Sequence, residues 1–176
     1  MDLTRFHRRI VHPGLYELEG LGGPPMTHAA ERFLVAVALQ ESDAIHRYQN
    51  SPSDTPGPAR GWWQFEAIAV QEMLTNRVTS VLAKKSCDLY DVQPFRNAVH
   101  RAIEGHDGLA VAFARLLVLT HVAPLPDSLL TGWQQYLDLW RPGKPRQERW
   151  ESCWRRATEV TLPAGGDDAD TQAGTV

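Results

Sequence analysis

One carboxylate stands where carboxylates are costly. Residues 27–45 carry helical periodicity, and the core of that stretch reads Phe33-Leu34-Val35-Ala36-Val37-Ala38-Leu39-Gln40-Glu41-Ser42. At roughly 100° per residue, Phe33, Val37 and Glu41 climb one face, flanked by Leu34, Ala38, Ala44 and Ile45. A carboxylate on that stripe loses hydration, so its neutral form gains and its pKa is expected to rise. An acid still protonated near neutral pH is what general-acid cleavage of a sugar–sugar bond requires. Glu41 is therefore the candidate catalytic residue. A competing reading turns Glu41 out to water at the helix end or pairs it with an arginine.

A second block follows. After Ser42 come Arg47 and Gln49, a Pro/Ser/Asp-rich loop, and then Gly57-Pro58-Ala59-Arg60-Gly61-Trp62-Trp63-Gln64-Phe65. Gly57, Pro58 and Gly61 give a tight, irregular backbone able to bring main-chain groups close to a ligand. Trp62 and Trp63 offer flat faces for sugar rings, and Gln64 offers both donors and acceptors. The competing reading places the tryptophans in the core and has Gln64 bond a loop carbonyl. Further along, Trp133, Tyr136 and Trp140 recur at helical steps before Arg141-Pro142-Gly143-Lys144-Pro145. Rings ending in a basic, rigid turn could grip sugar rings and nearby carboxylates, although aromatics at helical spacing also build cores. Trp150 and Trp154 read as core.

For a second acid, Glu66 is the best candidate, with Asp43 and Asp54 also nearby in sequence. Glu66 also sits where a helix N-terminus welcomes negative charge. His46 follows the Glu41 helix, while His100, His106 and His121 are scattered, and no Cys/His cluster has metal spacing. No metal and no cofactor are expected.

Gln40-Glu41-Ser42, Arg47-x-Gln49 and the Gly-x-x-Gly-Trp-Trp-Gln-Phe block together resemble the goose-type lysozyme and soluble lytic transglycosylase superfamily, which cuts peptidoglycan glycan strands. The spelling resembles versions encoded by bacteriophages and prophages, as does Trp133-x-x-Tyr136-x-x-x-Trp140 with its basic turn. The specific match covers residues 39–66, about a sixth of the chain. The resemblance implies a lysozyme-like helical fold, Glu41 as general acid and base, and a groove floor formed by Gly61, Trp63 and Gln64. It extends substrate contact to Ser42, Arg47, Gln49, Trp62, Tyr136 and Trp140. The chain lacks the later Ala-Tyr-Asn-type motif whose tyrosine supports the glutamate, which leaves Tyr136 and Tyr90 as candidates for that role.

The elements that must position these residues read as mainly α. Beyond 27–45, helices are expected from about residue 66, over 78–85, 95–104, 108–120 with Asp107 as N-cap, 127–140, and 145–160 with proline at its first position. Residues 14–25 read as loop and 142–145 as a turn; any β element is small and lies in 49–65. The 176 residues suit a single domain over 1–162, with a Gly/Asp/Ala/Thr-rich disordered tail over 163–176. Cys87 and Cys153 are expected as free, buried thiols. A net charge of −3 without a basic, aromatic-interleaved stripe argues against nucleic acid. No apolar run is long enough to cross a bilayer, and the N-terminus does not read as a secretory signal. The expected partners are peptidoglycan glycan strands and virion proteins. A chain made in the cytoplasm would reach the wall by virion packaging or through a holin-type pore. The alternative function is a non-catalytic lysozyme-like domain that binds glycan or builds a virion part.

Overall fold

Residues 33–39 have no exposed surface and form one of the two centres of the core. The computed structural model describes residues 2–48 and 57–162. Gln49, Asp54 and the expected tail at 163–176 lie outside the described residues.

The chain begins with α1 (Leu3–Phe6), a π-helical turn (His7–Val11) and α2 (His12–Gly20), in direct succession. α3 (His28–Ser42) starts at Thr27, whose Oγ1 accepts from Ala30 N at 3.2 Å. It stops because Asp43 and Ala44 adopt left-handed backbone, with φ of 56° and 52°. Next come α4 (Ala67–Thr75), α5 (Ser80–Leu89), α6 (Arg96–Gly105), α7 (Asp107–Leu119), α8 (Leu129–Trp140) and α9 (Gln147–Thr161). α9 lies along α3, and α8 packs on α9. α7, almost wholly buried, is the second central helix; α2, α4, α5 and α6 pack against it. The fold is mainly α. Among the described residues the β content is two isolated antiparallel bridges, Tyr48 with Arg60 and Arg60 with Phe65, in keeping with at most a small β element. Cys87 and Cys153 are buried and free, and burial, with Asp88 nearby, pushes the Cys87 thiol up to about 11.

Several boundaries differ from expectation for identifiable reasons. The stretch from Gly14 is expected as loop, yet α2 continues to Gly20. Gly14 is there for close approach, not for a turn: a Cβ on it would lie 2.6 Å from Val111 Cβ on α7. Pro13 is accommodated by the preceding π turn. A proline ring inside a regular α-helix collides with the carbonyl four residues back, and the wider turn relieves that clash. Ile45 is 62% exposed rather than part of the apolar stripe, because the left-handed residues end α3 before it. Asp107 is the first residue of α7, not its cap; His106 holds the cap position. Pro145 precedes α9, which starts at Gln147.

Gly14→Ala is expected to destabilise the protein by about 1–3 kcal/mol through overpacking against Val111. Urea unfolding monitored by far-UV circular dichroism checks this. A neutral result would mean that α2 can move off α7 freely.

Candidate functional site

Glu41 lies in the last turn of α3. Its neighbours Gln40 and Ser42 are buried, while Glu41 keeps partial exposure. The Tyr136 hydroxyl of α8 donates to Glu41 Oε1 at 2.6 Å. Burial raises the Glu41 pKa above the ordinary carboxylate range; the Tyr136 hydrogen bond and the positive charges of Arg146 and Arg149 oppose the rise without cancelling it. Tyr136 is itself pushed upward by burial, by the charge of Glu41 and by the bond to it. The phenol therefore remains a donor at any working pH. The pair is an acid of raised pKa steadied by one neutral hydroxyl.

Tyr136 is held by aromatic neighbours. Its ring stacks on Trp150 at 5.3 Å and 16°, and on Trp140 at 6.3 Å and 25°. Trp150 Nε1 donates to Leu129 O at 3.0 Å, fixing α9 to the start of α8. Trp140 is partly buried and its Nε1 donates to Trp63 O at 3.0 Å. Gln40, adjacent to Glu41, donates from Nε2 to Arg146 O at 3.0 Å and draws the start of α9 toward the site.

The Gly-Trp-Trp-Gln block forms a tight turn closed by Arg60 N to Phe65 O at 2.9 Å and Phe65 N to Arg60 O at 2.8 Å. Gly61 has φ of 73°, and a Cβ there would meet Ile103 Cγ2 at 2.6 Å. Gln64 is also left-handed, with φ of 49°, and its Nε2 donates to Gly61 O at 2.8 Å. Trp63 is fully buried and its Nε1 donates to Leu34 O at 2.9 Å. Ser42 Oγ donates to Ala38 O and to Trp62 O at 2.8 Å, tying the turn to the end of α3. Trp62 is 4% exposed, lies beneath the Arg47 guanidinium at 4.2 Å, and donates from Nε1 to Asp107 Oδ1 at 2.9 Å. Arg47 grips both oxygens of Asp107, at 2.6 and 3.1 Å.

These contacts revise several expected roles. Trp63 offers no face to a sugar; it is core beneath the site. Ser42 and Gly61 position backbone, and Gln64 bonds its own turn. Arg47 and Trp62 belong to a separate cluster with Asp107, which borders a cleft of about 610 Å³ also lined by Arg5, Arg8 and Arg9. A second cavity of about 370 Å³ is lined by Trp133, Trp150, Leu129 and Glu148 among others. Glu41 lines neither. The structure brings Glu41, Tyr136 and Trp140 together. Of the two tyrosines, Tyr136 meets Glu41, whereas Tyr90 bonds Glu17.

Glu66 is an exposed N-cap of α4, and Asp43 pairs with Arg149 at 2.5 Å. His46 is exposed, His100 Nε2 bonds Phe65 O at 2.9 Å, and His121 pairs with Asp138. Sequence reasoning missed Arg146 and Arg149, whose influence depends on α9 folding back along α3. It also missed a cluster of His7, His12 and Glu31, because its members come from different helices.

Compared with known proteins, the chain matches no family model, no curated protein and no solved structure.

Two predictions follow from the Glu41–Tyr136 pair. Tyr136→Phe removes a bond that favours the carboxylate, so the Glu41 titration midpoint should move further up; carbon-13 NMR of labelled glutamate reads it, and an unchanged midpoint would refute the assignment. Because the folded-state pKa is raised, Glu41 binds its proton more tightly when folded. Its contribution to stability therefore falls as pH rises from the ordinary value of 4.5 through the folded-state value. Glu41→Gln should stabilise the fold above that window and lose the gain below it, as followed by thermal melts across pH.

Proposed function

We propose that the protein cleaves the β-1,4 bond between N-acetylmuramic acid and N-acetylglucosamine in bacterial peptidoglycan, as a phage-type lytic transglycosylase with a lysozyme-like fold. The observation that carries the reading is the partly exposed Glu41 carboxyl, raised in pKa and held by the Tyr136 hydroxyl. A carboxyl so placed can be protonated when substrate binds and is aimed by a donor that does not compete for its proton.

In the proposed reaction Glu41 gives its proton to the glycosidic oxygen as the bond from that oxygen to the muramyl anomeric carbon breaks. The muramyl C6 hydroxyl then attacks the anomeric carbon and gives its proton to the Glu41 carboxylate. The product is a 1,6-anhydro end, and the acid is regenerated without water. Tyr136 supports the carboxylate between the two proton transfers. A hydrolytic route would call for a second acid to place water. Glu66 is an exposed residue at the start of α4 and Asp43 is paired with Arg149; the proposed intramolecular attack needs neither. Trp140, partly exposed beside Tyr136, offers an aromatic face to a sugar ring in this reading. The substrate would come from the cell wall, and the chain would reach it from the host cytoplasm or from the virion.

Digestion of purified peptidoglycan, with muropeptides read by mass spectrometry, tests the reading. The wild type should release products one water lighter than ordinary reducing ends, and Glu41→Gln should lower their rate by at least about 100-fold, the scale of a lost general acid. Ordinary reducing ends would make it a hydrolase. No product from the wild type on several wall types would leave a glycan-binding or virion structural role.

A further inference from the structure

Three imidazoles surround one carboxylate at the end of α3 remote from Glu41. Glu31, in the first turn, is 2% exposed. His7 Nε2 lies 3.0 Å from its Oε1, and His12 Nδ1 lies 2.7 Å from the same oxygen. His28 Nδ1 approaches the other oxygen, Oε2, at 3.2 Å. The ligand atoms of His7, His12 and Glu31 all fall within 4.8 Å of one another.

The backbone explains how the two N-terminal histidines meet. They are five residues apart, which in a regular α-helix would set them about 140° apart around the axis. The π turn closes instead with His12 N donating to His7 O, a five-residue step that stacks the two positions on one side. The turn that accommodates Pro13 therefore also assembles the pair.

Two imidazole nitrogens and a carboxylate oxygen form a donor set suited to Zn²⁺ and its first-row neighbours rather than Mg²⁺ or Ca²⁺. Ligand atoms around a tetrahedral zinc stand about 3.3 Å apart, given zinc–ligand distances near 2 Å. The observed separations of 2.7 and 3.0 Å are thus a few tenths of an ångström short of that arrangement. His12 and His28 are half or more exposed, which leaves an entry path and room for water or His28 to complete the shell.

We propose that His7, His12 and Glu31 bind a divalent transition-metal ion of the zinc class, which clips the N-terminal helical run onto α3. The site is structural. Glu31 and Glu41 are ten residues apart on one helix, about 15 Å along its axis, so the ion takes no part in the chemistry proposed at Glu41. His7 Nδ1 is buried with no hydrogen-bond partner, so this ligand lacks the outer acceptor that usually strengthens a metal-bound imidazole by about 10–100-fold. Micromolar rather than tighter affinity is expected.

The test uses the full chain at neutral pH, with Zn²⁺ followed by isothermal calorimetry and thermal melts, and Co²⁺ followed by its visible absorption. The expected result is one Zn²⁺ per chain, a higher melting temperature reversed by EDTA, and tetrahedral-type Co²⁺ bands displaced by Zn²⁺. His12→Ala, at a half-exposed position that should leave folding intact, should weaken binding by at least about tenfold. His46→Ala, outside the cluster, should bind as the wild type does. Absence of Zn²⁺ binding at high-micromolar concentration, or a His12→Ala variant that binds as tightly as wild type, would overturn the proposal.

Discussion

The constraint on which the structure depends is that α3 is buried along nearly its whole length and yet carries Glu31, Gln40, Glu41 and Ser42. A buried polar group without a partner costs about 1–3 kcal/mol, so the surrounding elements must bring partners to each. Gln40 takes the Arg146 carbonyl and the Cys153 thiol from α9. Ser42 takes the Trp62 carbonyl from the 60–65 turn. Glu31 takes imidazoles from the N-terminal helical run. Glu41 takes the phenol of Tyr136 from α8. Each partner comes from a different part of the chain, so satisfying α3 fixes how those parts assemble. Glu41 alone among the four keeps partial exposure.

The aromatic residues turn that requirement into a rigid wall. Tyr136 cannot swing away from Glu41 without breaking its stacking on Trp140 and Trp150, contacts of about 0.5–1.5 kcal/mol each beyond their buried area. Trp140 is anchored to the Trp63 carbonyl, and Trp63 is anchored to Leu34 of α3. The turn bearing Trp62 and Trp63 is thus a brace between α3 and α8. The two tryptophans that sequence chemistry offered as sugar platforms serve the glutamate indirectly, by holding the helix that carries its tyrosine.

What could be read from the sequence follows from the range of the interactions. The helical class, the helix carrying Glu41, its burial and the direction of its pKa shift all come from local periodicity. The buried state of the two cysteines was likewise legible. The glycines were harder. Gly14 looks like a loop former unless one knows that Val111, far along the chain, packs against it. Arg47 looks like a free cation until Asp107 is brought beside it. Tyr136 could be named as a candidate, but only tertiary packing separates it from Tyr90. The histidine cluster escaped because His7 and His12 have no regular helical relation; the π turn that aligns them has no simple sequence signature, although Pro13 marks where a regular helix would clash.

The two glutamates on α3 show how environment divides roles on one helix. Both are desolvated, and desolvation pushes both toward the neutral form. At Glu31, hydrogen bonds and charge from two imidazoles on one oxygen reverse the sign, and those rings hold the group as an anion. At Glu41 the closest partner is a neutral phenol, and the arginines of α9 act only through their charge, so desolvation prevails and the group retains its proton to higher pH. A carboxyl that keeps its proton can give it up to a substrate oxygen, whereas one that has already lost it can only bind. The division does not depend on the residue type, which is the same at both positions, nor on the helix, which is shared. It depends on whether the folded chain supplies a nearby basic ring or a phenol.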